Sequence, residues 1–134
     1  MIWLFWFLFV IVDAFWNHWK EIKRLKEGKT ILIFHGFEAV YRVLAFGLFY
    51  WFGGIYSTDL VSQIGFGGGC FFFAWLIFNI ALNLFNGQDI GYLGSKAWLD
   101  QLEALCPSRM ATMFFKAVLA AAGISMFYYG TLNP

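Results

Sequence analysis

Residues 64–85 read IGFGGGCFFFAWLIFNIALNLF, an apolar run without one charged side chain. A helix needs about 20 such residues to cross a hydrocarbon core of about 30 Å, so this stretch predicts a transmembrane helix. Working outward, residues 30–52 and 110–129 read the same way, and residues 2–16 form a fourth, shorter run. The fold class expected is an all-α membrane protein with four transmembrane helices, at about 2–16, 30–52, 64–85 and 110–129, in a single integral membrane domain covering 1–134. The first run is read as an uncleaved helix, because it lacks a basic leading segment and a small-x-small cleavage site and carries Asp13. Its shortness is met by local thinning of the bilayer, with Trp16 and Trp19 at the interface.

Composition agrees. The 134 residues are 61% hydrophobic and 13% charged, with mean hydropathy +0.68. A soluble domain is about half apolar and about a quarter charged, so this chain cannot cover itself with polar surface, and the lipid bilayer is its expected partner. Nine Lys plus Arg against eight Asp plus Glu give a net charge of +1, which leaves no basic surface for nucleic acid. Cys70 and Cys106 form no CxxC pair and no Cys/His cluster, so neither a disulfide scaffold nor a structural zinc site is indicated.

Charge also orients the chain. The segment after the first run is read as a cytoplasmic basic loop with Lys20, Lys23, Arg24, Lys26 and Lys29, and the segment before the fourth run adds Lys96 and Arg109. The opposite side carries no cation, so by the positive-inside rule both termini are expected outside. Within residues 95–105, Trp98, Leu99, Leu102 and Leu105 recur at helical spacing among Lys96, Asp100, Gln101 and Glu103. That pattern predicts a short amphipathic helix on the cytoplasmic membrane surface, opened by Ser95 and ended before Pro107.

Polar groups inside the apolar runs each need a physical reason, since an unpaired charge in lipid costs several kcal/mol. An intramembrane polar cluster is expected from Asp13, His35, Glu38, Arg42, Asn79, Asn83 and Lys116. His35, Glu38 and Arg42 are spaced i, i+3 and i+7, so they share one helical stripe, and Asn79 and Asn83 form a second at i, i+4. At about 1.5 Å per residue, six of the seven fall in the cytoplasmic half, with Arg42 deeper at about 18 Å. Glu38–Arg42 and Asp13–Lys116 are the ion pairs expected to neutralise the layer. Read as structure, the layer is a clamp between helices; read as function, it is a proton or ion site with Glu38 as carboxylate and His35 as proton acceptor.

Other chemistry has less to stand on. His18, His35 and Glu38 are weak metal candidates, with a single HxxE and no second Glu/His pair to complete a helical-bundle site. No cofactor is expected. The serines have no histidine nearby in sequence and GxSxG is absent, while Asp89 and Asp100 are read as solvated loop charges, so no catalytic residue is assigned. Gly65 and Gly69 form a small-xxx-small pair, and Ala117, Ala120, Ala121, Ala122 and Gly123 give the fourth run a small face, so these two helices are expected to pack closely. The 18 phenylalanines exceed what four helices can bury, which points to lipid contact or to a homo- or hetero-oligomer. The expected function is therefore a small polytopic membrane protein acting as a non-catalytic structural or accessory component of a larger assembly. The alternative is an oligomeric proton- or ion-coupled transporter or channel using the His/Glu/Arg/Lys cluster.

Overall fold

The computed structural model describes residues 2–27, 32–54, 59–90, 92 and 105–132. All regular structure among them is helical: α1 (Ile2–Glu27), α2 (Leu32–Gly54), α3 (Leu60–Phe85) and α4 (Arg109–Leu132). Among the described residues three stretches are long and apolar enough to cross a membrane, Ile2–Lys23, Leu60–Phe85 and Arg109–Leu132, and Val40–Gly53 of α2 is a shorter apolar stretch. The first run is thus longer than the expected residues 2–16. The reason is that α1 continues in helix beyond Trp16.

The basic loop is likewise corrected. Lys20, Lys23, Arg24 and Lys26 belong to α1, which runs as one helix of 26 residues; Lys29 lies outside the described residues. From Lys20 to Glu27 every residue has good or fair helix propensity, and the first breaker is Gly28. The amphipathic helix expected at 95–105 lies outside the described residues except for Leu105, which occupies a turn.

Local signals account for the ends of α3. Asp59 is its N-cap, and its Oδ2 accepts hydrogen bonds from the Ser62 N–H at 2.9 Å and the Ser62 hydroxyl at 3.0 Å. Those bonds stabilise the ionised form and hold the Asp59 carboxyl below its usual range. At the other end Gly87 adopts φ +65°, with Gly87 N–H donating to the Leu84 carbonyl at 3.1 Å and Gln88 N–H to that of Asn83 at 2.8 Å. This is a Schellman closure, which needs the left-handed conformation that glycine enters without a Cβ penalty. Ser108 caps α4 by accepting the Ala111 N–H on its hydroxyl at 3.1 Å.

α3 is the central element, packing most extensively on α4, then on α1, and least on α2. Its Gly65 and Gly69 lie against Gly123 of α4, as the small-residue pattern anticipates. Phe66, only 1% exposed, is the hub of the core, with Trp3 edge-on at 5.3 Å and Phe127 at 4.4 Å between ring centroids. Trp6 completes the α1 contact by donating its indole N–H to the Cys70 carbonyl at 2.8 Å. Such a bond matters more in an apolar interior, where an unmet donor has no water to turn to.

Candidate functional site

The charged residues converge on the seam between α1 and α2. On α1, Asp13, Asn17 and Lys20 stand at i, i+4 and i+7; on α2, Glu38, Tyr41 and Arg42 stand at i, i+3 and i+4. Each set therefore occupies one helical face, and the two faces meet. Arg42 grips Asp13 with two bonds, Nε to Oδ2 at 2.8 Å and Nη2 to Oδ1 at 3.2 Å. The Tyr41 hydroxyl also donates to Oδ1 of Asp13. Asn17 donates from Nδ2 to the Asp13 carbonyl at 2.8 Å and to Oδ1 at 3.3 Å. Its own Oδ1 accepts from Lys20 Nζ at 3.4 Å, and Lys20 in turn pairs with Glu38. The result is a continuous chain from Arg42 through Asp13, Asn17 and Lys20 to Glu38.

Burial sets its energetics. Asp13 is 7% exposed and Glu38 5%, so each carboxylate loses hydration that its hydrogen-bond and ion-pair partners must replace. The Arg42 guanidinium also lies over the Phe78 ring, 5.2 Å from its centroid, so the α1–α2 pair touches α3 as well.

The pairing differs from the one expected. Asp13 takes Arg42 rather than Lys116, and Glu38 takes Lys20 rather than Arg42. The reason is geometric: Glu38 and Arg42 point across the helix gap to α1, and Lys116 belongs to another interface. Lys116 is 1% exposed between α3 and α4, with Nζ 3.9 Å from the centroid of the Trp75 ring. Asn83 serves the chain reversal after α3, donating from Nδ2 to the Ile90 carbonyl at 3.0 Å and to that of Tyr92 at 2.7 Å. Asn79 lies half-buried on α3 one turn earlier. His35 is on α2, with its side chain outside the described residues.

Replacing Asn83 by leucine is expected to free both carbonyls and to destabilise the fold by about 1–2 kcal/mol. Faster hydrogen exchange confined to residues 86–92 is the accompanying sign, and unchanged exchange there would count against this role for Asn83.

Of the metal candidates, His18 places Nδ1 2.6 Å from Asn86 Oδ1, joining α1 to the end of α3, and Glu38 is committed to Lys20. Among the described residues no group of three or more His, Cys, Asp or Glu side chains could hold a metal ion. An open cleft of about 550 Å³ lies at the opposite end of the molecule, between the start of α3 and the end of α4, lined by Asp59, Ser62, Ser125, Met126 and Tyr129. Its carboxylate is already engaged as the α3 cap.

The sequence reading passed over Asn17 and Tyr41, and assigned Lys20 to the basic loop rather than to this seam. The signal for them was spacing, since Asn17 and Lys20 extend the face of Asp13 and Tyr41 flanks Arg42, but it carries weight only once α1 is continued past Trp16. Comparisons with protein-family models, with curated proteins and with solved structures found no match.

Proposed function

We infer that this chain is a multi-pass integral membrane protein serving as a non-catalytic structural or accessory subunit of a larger membrane assembly, homo- or hetero-oligomeric. Both termini face outward, and the basic end of α1 lies in the cytoplasm. The observation that carries this reading is the use of charge along the seam: Asp13 and Glu38 each face a cation of the neighbouring helix, so the polar chain ties α1 to α2. A buried carboxylate that serves transport must be reached by its proton or ion, whereas these two carboxylates are occupied by cations of the facing helix. A second support is the outward aromatic surface, with Phe5 59%, Phe15 54% and Phe114 72% exposed, which a bilayer or a neighbouring subunit would cover.

The test is proton and ion flux through purified protein in liposomes, comparing the unaltered chain with Glu38→Gln. No flux is expected from either, with the variant showing a lower thermal midpoint because Lys20 loses its anionic partner. Flux in the unaltered protein that disappears in a well-folded Glu38→Gln would replace the subunit reading by transport.

A further inference from the structure

Arg42 carries more hydrogen-bond donors than this chain uses. A guanidinium offers five N–H groups in a fixed plane. Its Nε and one Nη2 hydrogen serve Asp13, and among the described residues no other acceptor meets it. The side chain is 38% exposed, so donors remain on the surface beside Phe78. Hydrocarbon supplies no acceptor for them, and something must.

Depth narrows the choice. The ion pair with Asp13 holds the Arg42 guanidinium level with that residue of α1. On α1, Trp16 lies three residues beyond Asp13, and Trp16 and Trp19 stack at 5.2 Å with 44% exposure each, as aromatic rings do at a membrane interface. Arg42 is thus within snorkelling reach of lipid phosphates. The adjacent surface of α3 fits as well. Ile64, Phe71 and Phe78 follow one another at i+7, and Phe71 is 47% and Ile64 63% exposed. This apolar stripe runs from the guanidinium towards the opposite leaflet, the course an acyl chain takes from its headgroup.

We propose that Arg42 holds the phosphate of a phospholipid, with one acyl chain lying along Phe71 and Ile64. Asp13 fixes the guanidinium plane, so the remaining N–H groups present a fork that matches two phosphate oxygens. The site depends on the chain lying in a bilayer and not on its being a subunit, so flux or its absence leaves it standing. A protein acceptor would explain the donors but not the apolar stripe that leads away from them.

The experiment compares thermal midpoints of delipidated protein in mild detergent after adding dioleoyl phosphatidylglycerol, dioleoylglycerol or inorganic phosphate. Phosphatidylglycerol is expected to raise the midpoint by about 4 °C or more, and the other two to leave it unchanged. Native mass spectrometry should show one retained phospholipid per chain. Arg42→Gln should abolish both effects; if it does not fold, Phe71→Ser, on the exposed acyl stripe, should at least halve the midpoint shift. Equal shifts from dioleoylglycerol, a shift from phosphate alone, a retained effect in folded Arg42→Gln, an undiminished shift in Phe71→Ser, or a lipid-free dimer insensitive to phosphatidylglycerol would each overturn the proposal.

Discussion

Replacing Gly123 by alanine is expected to force α3 and α4 apart and to destabilise the protein by about 3 kcal/mol. A Cβ built at Gly123 would stand 2.5 Å from the Gly65 carbonyl oxygen and 2.6 Å from both Cα and N of Gly69. All three are backbone atoms, so no rotamer change relieves the clash and the helices themselves must move. In lipid the loss is hard to recover, because helix association there depends on close van der Waals contact rather than on a hydrophobic drive. Gly47→Ala and Gly68→Ala are the controls: a Cβ at either position meets nothing within 4 Å. They should be neutral or stabilising by up to about 1 kcal/mol through helix propensity. Reversible unfolding in bicelles reads all three, and a Gly123→Ala no weaker than Gly47→Ala would refute this packing.

That contact is also where sequence and structure agree most closely. Gly65 and Gly69 recur at i+4 on a helix with no other reason for small residues, and Gly123 ends the small face of α4; spacing alone sufficed to pair the two helices. The polar seam was only half legible. Spacing within α2 correctly put Glu38 and Arg42 on one side, but their partners depend on the relative height of α1, which periodicity does not contain. The height was misjudged because the first helix was ended where its apolar character ends, at Trp16. A helix needs propensity and hydrogen bonds to continue, not lipid, and residues Lys20 to Glu27 supply the first. Once the helix runs on, Lys20 comes level with Glu38 and Asp13 with Arg42. Lys116 then falls to the α3–α4 interface, with its ammonium over the Trp75 ring.

The height of α1 against α2 therefore rests on Asp13, and Asp13→Ala is expected to cost about 3 kcal/mol. Its carboxylate accepts from Arg42, Tyr41 and Asn17, so its loss strands a guanidinium and a phenol at the α1–α2 seam. Part of that cost is the stranded charge and part the missing attraction, and a double-mutant cycle separates them. In Asp13→Ala with Arg42→Leu no charge is left alone, so the double variant should be more stable than Asp13→Ala by at least about 1.5 kcal/mol, since well-packed apolar residues often replace a buried pair at little cost. The Lys20–Glu38 pair should respond less, because Lys20 also donates to Asn17 Oδ1 at 3.4 Å and keeps that partner when Glu38 is neutralised. Additive losses at Asp13 and Arg42 would mean that the two side chains stabilise the fold independently, and that the α1–α2 contact is held by the ring packing of Trp6 on Phe46 and Phe49 instead.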